Sequence, residues 1–238
     1  MKQLLIGTAL ILILPALAFE LRDFTALVPD SCPIPIEKGI QWVYEGKVEW
    51  TGIGFGGVKT AKIRWITEVV DVFKGTNAQA AVVRGFPSEL VAYDPAQIPG
   101  FTVLLSLSNR VYCFSANAEK QATSLARRYS QVPSSVPGDF EALFQWPLVT
   151  GCKLGQNPVR EDTWYCWCVE QVSKKPISVK GFDGNRSQKT YRLAYRTCPD
   201  AQFLDVVPGL GIVRFVYNHH GTVASTDVRL VSFSRPRL

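Results

Sequence analysis

Histidine is the scarcest informative residue: two in 238, His219 and His220, side by side. A Ser-His-Asp arrangement would have to use one of them. Ser225 and Asp227 lie close by in sequence, but no Gly-x-Ser-x-Gly elbow exists. Neighbours in a strand point to opposite faces, and no thiol or carboxylate is spaced to complete a metal site, so the pair reads as polar residues at a solvated turn beside Gly221. There is no Cys-x-x-Cys. Cys166-Trp167-Cys168 has one residue between its thiols, fewer than in zinc knuckles, and sits in an extended stretch without the helix N-terminus that lowers a thiol pKa. Charged residues make up 19% against 47% hydrophobic, which excludes a disordered polymer. Gly and Pro follow no triplet period, which excludes collagen. No Ser/Gly tract, Pro-rich stretch or charge run marks a linker.

A long apolar run occurs once, at the start. Lys2 precedes Leu4 to Leu17, and Ala16-Leu17-Ala18 offers small residues at a cleavage site. That pattern predicts a signal peptide over residues 1–18, too short for a comfortable membrane span, with an uncleaved anchor as the alternative. Pro29-Asp30-Ser31 makes the flank of Cys32 too polar and too distant for lipid-anchor processing. Residues 19–238 then form a single antiparallel β domain, exported to the bacterial periplasm or secreted. Its net charge falls from +6 to +5 with the loss of Lys2. No later run approaches the length of a transmembrane helix.

Period-two alternation dominates the rest. In 42–50, Trp42, Tyr44, Val48 and Trp50 share one face and Glu45, Lys47 and Glu49 the other. In 58–73, Ala61, Ile63, Trp65, Val69 and Phe73 face one way. Further strands are predicted at 79–84, 101–107, 110–114, 164–172, 189–197, 212–217 and 223–233. Their short connections fit an antiparallel meander. A helix is predicted over 117–130, capped by Asn117, with Ala122, Leu125, Ala126 and Tyr129 at helical spacing. A second short helix is predicted from Asp139 to Trp146, stopped by Pro147. Pro35-Ile36-x-x-Gly39 and Pro147-Leu148-x-x-Gly151 echo one another, which predicts two similar meander halves in one sheet system. The fold class is therefore mainly β: a strongly curved antiparallel sheet or open half-barrel with one or two packed helices.

Six cysteines in an exported chain favour disulfides. A hairpin centred near Asp183-Gly184 would set Cys168 opposite Cys198. The loop near 155–162 would set Cys152 near Cys166, leaving Cys32 with Cys113 by elimination.

Gly52-x-Gly54-x-x-Gly57 matches a dinucleotide fingerprint in letters only. The segment after it alternates as a strand, so no helix N-terminus faces a phosphate, and a hairpin turn is expected. Glu45 and Glu49 on one strand face stand about 13 Å apart, beyond the roughly 5–9.5 Å of a glycosidase pair. Glu161-Asp162 reads as a solvated turn. Basic residues are scattered: Arg127-Arg128, Lys174-Lys175, Arg235 and Arg237. With no basic-aromatic stacking stripe, nucleic acid is not an expected partner, and no cofactor or metal site is expected. The aromatics are the richest feature, with 6 Trp, 8 Tyr and 13 Phe. Most must fill a core. Should the curved sheet leave an apolar groove, Trp42, Tyr44, Trp50, Trp65 and Tyr191 are its candidate lining.

Two segments carry a resemblance: Pro35-Ile36-Glu37-Lys38-Gly39-Ile40-Gln41-Trp42-Val43-Tyr44, and Val207-Pro208-Gly209-Leu210-Gly211-Ile212-Val213 before the last hairpin. They resemble a set of uncharacterised exported bacterial proteins with a PLxxGxxWxY-like opening and a PGxGxV segment. More remotely, the pattern is similar to half-barrel lipoprotein carriers of the bacterial envelope. That resemblance implies a lipid or other apolar ligand, or an envelope component, as partner and assigns no catalytic residue. The expected function is a non-enzymatic envelope protein, either binding an apolar ligand or serving as a structural or interaction module. A secreted hydrolase acting on an envelope polymer is the alternative.

Overall fold

The computed structural model describes residues 33–51, 57–137, 142–154, 162–182, 187–219 and 225–236. The predicted signal peptide, Cys32, most of the glycine-rich turn, Glu161, the Asp183-Gly184 turn, His220 and Gly221 lie outside these residues. Twelve strands follow one another: β1 Gln41–Thr51, β2 Val58–Lys74, β3 Ala78–Arg84, β4 Phe101–Leu107, β5 Arg110–Ala116, β6 Ala142–Gln145, β7 Lys153–Leu154, β8 Trp167–Lys175, β9 Gln188–Arg196, β10 Asp200–Val207, β11 Gly211–His219 and β12 Ser225–Ser234. The helix α1, Glu119–Gln131, lies between β5 and β6. All twelve strands form one antiparallel sheet in the order β6-β5-β4-β3-β2-β1-β12-β11-β10-β9-β8-β7. Right-handed strand twist curls so wide a sheet, and β6 and β7 come into contact, so the barrel is nearly closed.

The echo in the sequence is an echo in the structure. Gly39 N–H donates to the Val69 carbonyl at 2.8 Å, and Val69 N–H donates to Ile40 at 2.9 Å. In the second half, Gly151 N–H donates to Val169 at 2.8 Å, and Val169 N–H donates to Cys152 at 3.0 Å. Both glycines have φ of 83°, a left-handed value that a β-carbon would strain. Both valines are buried and begin a bulge in their strand. Ile36 and Leu148, one residue after each proline, are buried at the base of the barrel. Each half is a six-strand meander, and the halves meet where β1 pairs with β12.

The sheet buries both its faces in part. Inside the barrel, Trp42, Tyr44, Val69, Leu104, Leu193, Leu204, Phe215 and Val228 form the main core. Outside, α1 lays Ala122, Ala126 and Tyr129 over Ala80, Val82, Val103, Leu105 and Phe114 of β3, β4 and β5. Among the described residues, α1 covers only one flank of the barrel, and no helix lies over the outer face of β1 and β12.

Several expectations need correction. Phe73 does not share the face of Trp65 and Val69: the bulge after Val69 reverses the alternation, and Phe73 packs under α1, with the Arg127 guanidinium over its ring at 5.4 Å. Asn117 does not cap the helix through its side chain. The N-cap is Ala118, and the Gln121 side chain accepts from Asn117 N–H at 2.8 Å instead. Of the predicted 139–146 helix, residues 139–141 lie outside the described residues and Ala142–Gln145 is strand β6, because Val111 and Arg110 of β5 pair with Phe144 and Gln145 and tertiary pairing overrides local preference. Strand β8 begins at Trp167 rather than 164, and β10 appears where no strand was predicted. The register also differs from that assumed for the cysteines: Cys168 faces Ala194, and Cys152 lies beside Val169. Cys113, Cys152, Cys168 and Cys198 carry free thiols.

Candidate functional site at the barrel mouth

The predicted groove is filled. Trp42, Tyr44, Trp65 and Tyr191 are buried in the core, and their polar atoms are stitched to it. Trp42 Nε1 donates to the Leu210 carbonyl at 2.7 Å, Tyr44 Oη to Ile212 at 2.8 Å and Trp65 Nε1 to Gly85 at 2.8 Å. Burial pushes the Tyr44 hydroxyl pKa far up, so it stays a protonated donor. Tyr191 packs edge-on against Trp146 with ring centres 5.7 Å apart. The gap left among Ile34, Trp42, Tyr44, Leu104 and Ile212 is about 10 Å³, room for at most one water molecule.

The filling comes in part from a segment that alternation could not reveal. Between β3 and β4 the chain crosses the mouth of the barrel as a strap, residues 85–100, containing one short 3-10 turn, Pro87–Ala92. Gly85 adopts φ of 70°, and a β-carbon there would lie 2.4 Å from the Ile66 carbonyl. Its own carbonyl takes hydrogen bonds from Trp65 and from buried Thr67. Phe86 and Leu90 then drop into the core. Glu89 staples the strap to itself, its carboxylate accepting from Phe86 N–H at 3.1 Å and Gly100 N–H at 2.7 Å. Burial pushes the Glu89 pKa up, and the two N–H donors only partly offset this. From the sheet, Thr226 Oγ1 donates to the Leu90 carbonyl at 2.9 Å.

Where the strap leaves the mouth it builds one wall of a cleft of about 520 Å³. The other walls are the end of β1 with Glu49 and Trp50, the start of β2 with Lys59, and Thr226 of β12. Trp50 is the one member of the predicted five that lines this cleft, half-buried. Its ring meets Tyr93 of the strap edge-on, 5.3 Å between centres and 71° between planes. Carboxylates flank the pair. Glu49 takes a hydrogen bond from Ser225 Oγ at 3.0 Å and pairs with Lys47, and these contacts, Lys47 foremost, hold its pKa below the usual range. Asp94 caps Ala96 N–H at 2.7 Å. The cleft thus combines an aromatic corner, two acids, one base and the hydroxyls of Thr51 and Thr226, a set suited to holding a ligand with an apolar body and a polar end.

No protein-family model matches the sequence, and no curated protein matches it. Among solved structures, the chain is similar to a Bacteroides fragilis protein described as exported and as having a YmcC-like fold: 10% identity, 85% of this chain and 98% of that one covered, TM-score 0.41. It is similar to the same degree to a Parabacteroides distasonis protein described as a lipoprotein, with 12% identity, the same coverages and TM-score 0.41.

One other titratable cluster is assembled by the fold. Asp200 and His219 are direct cross-strand partners on β10 and β11, and the carboxylate bonds the His219 ring and the Tyr217 hydroxyl, the latter at 2.7 Å. Burial pushes the Asp200 pKa up, but the hydrogen bonds from His219 and Tyr217 outweigh it and hold the carboxyl below its ordinary value. Burial, reinforced by Asp200, pushes the Tyr217 pKa up to about 12. None of the three lines the mouth cleft. Burial raises the Cys168 pKa, and burial with Glu89 nearby pushes Cys113 up to about 12, so both thiols are protonated at neutral pH and poor nucleophiles.

Proposed function

We propose that this is a non-enzymatic exported protein of the bacterial envelope that binds a small amphipathic ligand at the barrel mouth. The carrying observation is the cleft of about 520 Å³ whose corner is the Trp50–Tyr93 pair. Its volume falls within the roughly 300–1,000 Å³ of small-molecule sites. Export rests on the leader-like residues 1–18 of the sequence. The filled interior argues for the mouth over the barrel lumen as the ligand's place. A fluorescent apolar amine, N-phenyl-1-naphthylamine, tests the reading. Its emission should rise on mixing with the protein and blue-shift, and Trp50→Ala and Tyr93→Ala should each weaken binding about tenfold, the worth of one lost aromatic contact. Equal binding by wild type and both variants would refute it.

A further inference from the structure

The outer face of the sheet from β2 through β1, β12, β11 and β10 to β9 carries a row of charge running straight across the strands. Register aligns Arg64, Glu45, Arg229, Arg214, Asp205 and Arg192 in one line, and Lys62, Lys47 and Asp227 in the line beside it. Over β2, β1 and β12 this face dips into a depression of about 770 Å³, rimmed by Lys47, Lys62, Arg64 and Arg229 and floored in part by Gly46 and Ile63. Two features distinguish it from an ordinary solvated face. First, cations sit directly opposite cations: Lys47 faces Lys62, and Arg229 faces Arg214. Like charges so placed destabilise a sheet unless an anion lies between them. The nearby carboxylates are already engaged. Glu45 pairs with Arg64 at 2.7 Å, and Asp227 takes both bonds of the Arg214 fork at 2.9 and 2.7 Å, leaving Arg229 at 4.0 Å from it. Among the described residues Lys62 has no ion-pair partner. Second, the same outward face of β2 exposes Val58 and Ile66, 52% and 46% accessible, on either side of Lys62 and Arg64.

We propose that this uncovered face docks on an anionic phospholipid membrane. The cations meet lipid phosphates, and Ile66 and Val58 enter the boundary between headgroups and acyl chains. A soluble polyanion would use the charges alone, whereas a bilayer also uses the apolar flanks. α1 covers the neighbouring flank of β3, β4 and β5, and the basic face and the exposed aliphatics of β2 lie on the same outward surface, where they can reach a plane together.

Co-sedimentation of the full-length chain with vesicles decides the matter, residues 1–32 being common to wild type and every variant. Vesicles of phosphatidylcholine in which about one lipid in three is phosphatidylglycerol should bind the protein, and pure phosphatidylcholine vesicles should bind it far less. Each basic residue near an anionic surface contributes about fivefold, so the double variant Lys62→Gln with Arg229→Gln should partition roughly 25-fold more weakly. Ile66→Ser should weaken vesicle binding and leave retention on dextran sulfate unchanged. All three positions are exposed, and far-ultraviolet circular dichroism confirms that the variants fold. Wild-type affinity in the double variant, equal binding to both vesicle types, or retention on dextran sulfate without vesicle binding would each overturn the proposal.

Discussion

A buried arginine–aspartate fork and an exposed arginine–glutamate pair show how burial sets the worth of a charge. Arg192 donates to Asp205 through Nε at 2.8 Å and Nη2 at 2.9 Å, and Asp205 is only 4% exposed. Removing the guanidinium leaves a buried carboxylate stripped of the fork's two charge-assisted hydrogen bonds. Arg192→Ala should therefore cost about 2–4 kcal/mol, read from urea denaturation. Arg64 pairs with Glu45 at a similar 2.7 Å, but both side chains are about half exposed or more. Arg64→Ala should cost no more than about 0.5 kcal/mol. Equal losses for the two would show that burial does not govern these pairs. Which aromatics face inward was legible in the sequence, because Trp42, Tyr44 and Val48 alternate with Glu45, Lys47 and Glu49. Their fate as packed core was not, because alternation reports that a side chain leaves water and not what it meets. Only Trp50, at the end of its strand, had room to line a cleft.

At the level of elements, the strap is the piece whose role the sequence hid. Residues 85–100 lack any period, and the staple that organises them joins Glu89 to Gly100, a link that only the folded loop makes visible. Leu90 is the strap's main anchor in the core. Leu90→Ala should destabilise by about 2–4 kcal/mol, and Thr226→Val, which removes the bond to the Leu90 carbonyl, by about 1 kcal/mol, both measured by thermal or chemical unfolding. The Glu89 titration adds a pH signature. Its folded pKa is raised above the unfolded value, so its contribution to stability is fully present below the unfolded pKa, near 4.3, and is lost as pH rises through the folded value. Unfolding midpoints taken between mildly acidic and neutral pH should show this loss in the wild type, and Glu89→Gln should flatten it. A variant with an unchanged pH profile would place the titration elsewhere. Strand β10 was missed for a related reason. Its later residues, Leu204 to Val207, are buried on both faces, so no alternation marks them. The segment 142–145 read as helical because four residues are too few to distinguish a buried strand from a helical turn.

For the molecule as a whole, the legible part was the plan: one antiparallel sheet, strongly curved, built from two related halves. The matched hydrogen bonds of Gly39 with Val69 and Gly151 with Val169 bear out the repeat that two short sequence segments suggested. What the plan could not reveal is closure. A half-barrel with an open concavity and a nearly closed barrel filled by its own strap share the same strand pattern, and they predict opposite places for a ligand. The central claim is that the interior is solid and the binding surface lies at the mouth. The most direct test is a crystal structure of the protein grown with N-phenyl-1-naphthylamine. The ligand should stand against Trp50 and Tyr93, with Trp42, Tyr44 and Leu104 still in mutual contact and no density between them. Ligand density among Trp42, Tyr44 and Leu104, with Leu90 and the strap displaced from the mouth, would contradict it.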